Sequence, residues 1–139
     1  MNYLVDTNVL SEPRQKRPDT KVTTWLQENE SNLYTSVLVV GEIRYGIELL
    51  PRNSRKRAEL FQWYEKLLVI MTGRVLSINP RVAEEWARLQ AEVQAKNLVL
   101  PVVDSLLAAT ARRYQLTVAT DNVSHFREVG IKVVNPFDH

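Results

Sequence analysis

The sequence predicts a single α/β domain over residues 1–139, built on a central, mostly parallel β-sheet flanked by helices. Two observations predict it. Short apolar runs alternate with helix-period segments along the whole chain, which is the order of βαβ units. Several of those runs stop abruptly at a carboxylate, as a strand does when it delivers a side chain to the carboxyl edge of an open sheet, where ligand sites lie. The 139 residues suffice for one core and are few for two, and 45% apolar with 24% charged residues is the balance of an ordinary globular chain.

Taken in order, Asn2 to Asp6 reads as the first strand, with Thr7 and Asn8 following the acid. Ser11 to Pro18 is a basic loop broken at Pro13, and Asp19 or Thr20 caps a helix running through Glu28. Asn32 to Thr35 is a short second strand. Ser36 fits an N-cap, after which Val40, Ile43, Ile47 and Leu50 keep helical spacing as far as Pro51. Arg52 to Arg57 is the densest basic run, read as a solvated helix entrance or a nucleic-acid contact. Leu60, Phe61, Tyr64, Leu67, Leu68 and Met71 mark one face of the next helix, so the pair forms an αα-hairpin placed to meet a partner.

Gly73-Arg74 ends that helix, and Val75 to Ile78 reads as a strand. Asn79-Pro80 supplies an N-cap with proline at the first helical position, and Val82, Trp86, Leu89 and Val93 continue to about Asn97. Asp104 to Tyr114 has almost no polar face before Arg112 and is expected inside the domain. Leu116 to Thr120 is a further strand, Asn122 to Val129 a short helix, Gly130 a break, and Ile131 to Val134 an edge strand.

Several chemistries are excluded at this point. There is no cysteine, and the two histidines are His125 and His139, so a disulfide framework, a thiolate zinc site or a His-rich metal site is unsupported. No stretch approaches the ~20 apolar residues of a membrane span, and no signal peptide opens the chain, so a cytoplasmic location is expected. Formal net charge is +2, but setting aside four of the 16 acids leaves 18 basic against 12 acidic residues, a cationic body suited to a polyanion.

Those four are Asp6, Glu42, Asp104 and Asp121, each at the end of or within an apolar run. Each has a plain structural alternative. Asp6 could begin a turn, and Asp104 could be a first-turn acid favoured by the helix dipole. Glu42 is harder to dismiss, since its helical neighbours Leu38, Val39, Tyr45, Gly46 and Leu49 are uncharged and a buried carboxylate there would need a partner or an ion. Gly46 costs about 1 kcal/mol relative to Ala in a helix, which suggests a close approach by another group. If they converge, such oxygen ligands suit Mg²⁺ or Mn²⁺, ions that activate water and polarise phosphoryl oxygens, and so point to phosphodiester hydrolysis.

Four segments, Val5-Asp6-Thr7-Asn8-Val9-Leu10-Ser11-Glu12, Gly41-Glu42-Ile43-Arg44-Tyr45-Gly46, Asp104-Ser105-Leu106-Leu107-Ala108-Ala109-Thr110-Ala111 and Thr117-Val118-Ala119-Thr120-Asp121-Asn122 with Phe126, together resemble the PIN-domain signature. The chain is most similar to the VapC and FitB branch of toxin ribonucleases, over essentially its full length and down to Val134-Asn135-Pro136-Phe137. The resemblance implies a Rossmann-like three-layer sandwich of about five strands and a Mg²⁺- or Mn²⁺-dependent endoribonuclease, the toxin of a type II toxin-antitoxin system. It further implies a homodimer, for which Phe61, Trp63 and Tyr64 are candidate contacts, and a cognate antitoxin in the active-site groove.

Carried over residue by residue, Asp6, Glu42 and Asp104 are the catalytic, metal-binding acids, and Asn8 and Thr120 are supporting polar groups. The fourth acid is where the chain departs. FitB-like members place it two residues after the threonine, where Asn122 stands, whereas Asp121 comes one residue earlier. Alternation along a strand then expects Asn122 inside and Asp121 at the rim, through water or beside an Arg. Competing readings are a PIN-family nuclease acting in RNA processing or on DNA, and a catalytically silent PIN-like binding module. A receiver-like signalling domain expects adjacent acids after its first strand, which Asp6-Thr7 does not supply.

Overall fold

The computed structural model describes residues 1–138; His139 lies outside the described residues. The chain runs β1 (Tyr3–Val5), α1 (Thr7–Leu10), a 3₁₀ turn (Glu12–Arg14), α2 (Thr20–Glu28), a second 3₁₀ turn (Glu30–Asn32), β2 (Leu33–Ser36) and α3 (Val37–Glu48). It continues through α4 (Arg55–Ile70), β3 (Val75–Leu76), α5 (Pro80–Ala95), α6 (Val102–Tyr114), β4 (Thr117–Ala119), α7 (Val123–Arg127), β5 (Val133–Val134) and a last 3₁₀ turn (Pro136–Asp138).

The five strands pair in parallel in the order β3-β2-β1-β4-β5. β1 is central: Tyr3 lies level with Leu33 of β2 and with Thr117 of β4, and Val5 with Ala119. The chain winds outwards from β1 in one direction to β2 and β3 and in the other to β4 and β5, so the winding reverses between β1 and β4. That reversal opens a crevice beyond the carboxyl ends of those two strands.

Local chemistry explains the boundaries. Asp19, Ser36, Ser54 and Asn79 accept hydrogen bonds from the first-turn N–H groups of α2, α3, α4 and α5, and Pro80 sits at the first position of α5. Gly73 and Gly130 adopt positive φ of 79° and 76° where the chain must turn after α4 and α7, a conformation glycine takes without strain. The core gathers Leu4, Val5, Val9, Val39, Leu89, Leu107, Ala108, Val118 and Phe126, all at most 1% exposed. Arg112 of α6 ties α5 down, reaching Glu85 and Glu92 at 2.6 Å each. No described helix is long and apolar enough to cross a membrane.

Two expectations need correction. The apolar run before Asp104 is not buried, since Val99 is 90% and Val102 65% exposed, and Asp104 falls in the first turn of α6. No heavy atom lies within 4 Å of where a Cβ on Gly46 would sit, so no close approach requires that glycine. The hairpin aromatics Phe61, Trp63 and Tyr64 are half-buried against the core; the exposed apolar side chains of this region are Tyr45, Leu49, Val69 and Ile70.

Phe126 anchors α7, the short helix that borders the crevice, and is fully buried. Phe126→Ala is expected to lower unfolding free energy by about 3–5 kcal/mol, through the forfeited transfer energy and the cavity left behind. Urea denaturation of the two proteins measures it.

Candidate active site

Asp6 follows the last residue of β1 and is the N-cap of α1. Its placement is fixed from both sides of the sheet: its N–H donates to the Ala119 carbonyl at 3.0 Å, and the Val5 carbonyl just before it accepts from Thr35 Oγ1 at 2.9 Å. The carboxylate is 6% exposed. Its Oδ1 accepts from the Thr7 N–H at 2.8 Å, and its Oδ2 from Thr120 Oγ1 at 2.8 Å and Asn8 Nδ2 at 3.3 Å. Asn8 also donates to Thr120 Oγ1 at 3.4 Å and accepts from the Asp121 N–H at 3.2 Å, so Asp6, Asn8 and Thr120 form one network across the β1–β4 crevice.

Burial pushes the Asp6 carboxyl above the ordinary carboxylate range. The bonds from Thr120 and Thr7 pull it down, and the charges of Asp104 and Glu42 push it up again. Among the described residues, no Lys or Arg pairs with any of the three.

Glu42 reaches the site from α3, where Thr7 Oγ1 donates to its Oε1 at 2.6 Å. It is exposed, contrary to the burial inferred from its uncharged helical neighbours. Those neighbours face solvent or sheet in turn, and none covers the carboxylate: Tyr45 and Leu49 are themselves exposed. Asp104 stands in the first turn of α6, its side chain 14% exposed, with Oδ2 at 2.6 Å from His125 Nδ1. The buried Ser105 beside it steadies the helix start, donating to the Val102 carbonyl and accepting from Trp86 Nε1.

The segment after Thr120 differs from expectation. β4 ends at Ala119, before either candidate for the fourth position, so strand alternation does not govern them. Asp121 and Asn122 are both exposed, and their contacts here run through the backbone: the Asp121 N–H to Asn8 and the Asn122 N–H to Thr120 Oγ1 at 3.1 Å. Asp121 pairs with no Arg among the described residues. Sequence reasoning missed Thr7, which lies next to Asp6 in the first motif without an assigned role, and His125, set aside as one of only two histidines. The signal for His125 was its place one residue before Phe126, in the first helix after the Thr120 loop.

The donor set is made of hard oxygens with uncompensated negative charge, which fits a hard divalent cation. Among the described residues no group of three or more His, Cys, Asp or Glu side chains is placed to hold a metal ion. A surface cavity of about 580 Å³ beside Tyr3 and Trp25 is lined by none of these acids.

A raised pKa makes Asp6 a pH-dependent cost. In the folded chain the carboxyl keeps its proton over a range where the unfolded chain has released it, so its contribution to stability is most favourable below the ordinary carboxylate range and falls as pH rises through the raised value. Without divalent metal, Asp6→Asn is expected to melt above the wild type at neutral pH, with the difference closing below about pH 4. Thermal melts in EDTA across that range are the check, and a variant that melts lower at neutral pH would contradict the assignment.

With this geometry in hand, the chain can be set beside known proteins. The PIN domain family model matches residues 3–132. Toxin FitB of Neisseria gonorrhoeae is 31% identical over 135 residues, covering 96% of this chain and 97% of the relative. The VapC ribonuclease Y4jK of Sinorhizobium fredii is 30% identical over 136 residues, covering 97% of each. A crystal structure of FitAcB from Neisseria gonorrhoeae superposes with a TM-score of 0.92 at 32% identity, covering 99% of both chains. A winding reversal at β1/β4, an acid at its mouth and agreement over nearly the full length of these relatives lead to one assignment: the chain belongs to the PIN domain family.

Proposed function

We propose that this protein is a divalent-metal-dependent endoribonuclease, the toxin of a toxin-antitoxin pair. The observation that carries the reading is the buried Asp6 carboxylate at the β1–β4 crevice, with Glu42 bound to Thr7, the residue whose N–H holds Asp6, and no Lys or Arg paired with Asp6, Glu42 or Asp104 among the described residues. The names of the relatives, a ribonuclease and a toxin, support the substrate class and the biological setting.

Asp6, Glu42 and Asp104 would hold Mg²⁺ or Mn²⁺. When bound, such an ion supplies a water of lowered pKa and neutralises charge on a phosphoryl group. The chain's own contribution is orientation. Thr120, Asn8 and the Thr7 N–H fix both oxygens of Asp6, while the Thr7 hydroxyl fixes one oxygen of Glu42 and leaves the other free. Asp121 and Asn122 stand at the rim as supporting polar groups.

RNA needs a cationic path beside the acids. Arg14, Lys16 and Lys56 line a groove of about 430 Å³ with Gln15, Glu59 and Leu60, which unites the basic loop after α1 with the start of α4. Within the basic run, Arg57 is committed to Glu48 and the Leu50 carbonyl, and Arg55 to Glu59, while Lys56 lines this groove. A homodimer using the exposed Tyr45, Leu49, Val69 and Ile70, a cognate antitoxin over the acid crevice, and a cytoplasmic location complete the proposal.

Two outcomes test it. Asp104→Asn is expected to stay folded and to lose RNA cleavage in Mn²⁺, and undiminished cleavage by the purified variant would end the reading. The double variant Lys16→Glu/Lys56→Glu is expected to raise KM for single-stranded RNA, and to flatten the dependence of log affinity on log salt by about 0.7 for each phosphate that is no longer neutralised. Fluorescence anisotropy over a salt series measures the slope.

A further inference from the structure

In the loop after β4, Asp121 and Asn122 are both exposed; the next helix brings His125 to Asp104. Its Nδ1 lies 2.6 Å from Asp104 Oδ2, and among the described residues it is the hydrogen-bond partner of that carboxylate. A carboxylate offers only acceptors, so the hydrogen in this bond is on Nδ1. The support behind the ring is firm: Phe126, next in sequence, is fully buried, and its carbonyl accepts from the Ile131 N–H at 3.0 Å.

Each site acid thus has its own holder. Asp6 is fixed by Thr7, Asn8 and Thr120, and Glu42 by the Thr7 hydroxyl. Asp104 has no threonine or asparagine on it, and a carboxylate at a helix start is otherwise free to turn about its side-chain torsions.

We propose that His125 is a positioning residue of this nuclease site, holding Asp104 by its Nδ1–H so that the other carboxylate oxygen faces the metal position. The inference rests on the nuclease reading above. His125 touches neither metal nor substrate in this role; it acts through Asp104. Partners of this kind behind a ligating carboxylate are worth roughly 10- to 100-fold in metal affinity or activity. The side chain is 41% exposed, so removing it leaves no buried cavity.

The experiment compares the full-length wild type, His125→Ala and His125→Asn. Mn²⁺ titration calorimetry reads metal affinity directly, and cleavage of single-stranded RNA gives kcat and KM. His125→Ala is expected to bind Mn²⁺ about 10- to 100-fold more weakly and to lose kcat by a similar factor, with KM for RNA and the melting temperature in EDTA near wild type. His125→Asn, whose side-chain amide can donate near the position of Nδ1–H, is expected to recover most of both. Wild-type Mn²⁺ affinity and kcat in His125→Ala would overturn the proposal, as would His125→Asn being as impaired as His125→Ala. A wild type that binds Mn²⁺ and cleaves no RNA would instead end the nuclease reading, and the titrations would still decide whether His125 sets the metal affinity of Asp104.

Discussion

Asp6 has almost no contact with water and, through its side chain, three hydrogen-bond donors that are all neutral: a backbone N–H, a threonine hydroxyl and an asparagine amide. Such donors stabilise the ionised form, but burial and two neighbouring acids outweigh them, and the carboxyl is held above its usual range. Everything else at the crevice is arranged around that imbalance. The β1–β4 register brings Thr120 beside Asp6, α1 starts from it, and α3 and α6 deliver their acids towards it.

Several arginines are committed to other acids. Arg44 is only two residues from Glu42, yet its guanidinium pairs with Glu48 at 2.6 Å and lies 4.7 Å from the centre of the Phe61 ring. Arg57 joins the same glutamate, and Arg88 and Arg112 pair with Glu85. Glu48 and Glu85 are accordingly pulled below the ordinary range by these arginines, the opposite of what happens at Asp6. The exposed pairs add little to stability. Their effect is on where positive charge is absent.

Caps and periodicity were legible in the sequence because they act over a few residues. Ser36, Asn79 and Asp19 begin the helices that their types predict, and the apolar run of α6 is buried. The place of Asn8 and Thr120 beside Asp6 was legible through motif resemblance. What failed depended on which groups cover a side chain. Glu42 has uncharged neighbours along its helix and is still exposed, and Leu98 to Val103 is apolar in composition with Val99 and Val102 in solvent. Asp121 and Asn122 lie past the end of β4, where strand alternation has no force, and the contact between His125 and Asp104 joins residues 21 apart that no local pattern connects.

The central strand has one further consequence, for the order in which the molecule is made. β1 is made well before its partner β4, which begins only at Thr117, and the Thr120 hydroxyl that fixes Asp6 is 114 positions downstream. Pairings across such separations come late, because the loop must close before any interaction offsets the entropy given up. A nascent chain stopped before β4 has all three acids and no frame to hold the first of them. Synthesis itself therefore keeps the crevice unformed until β4 has been made.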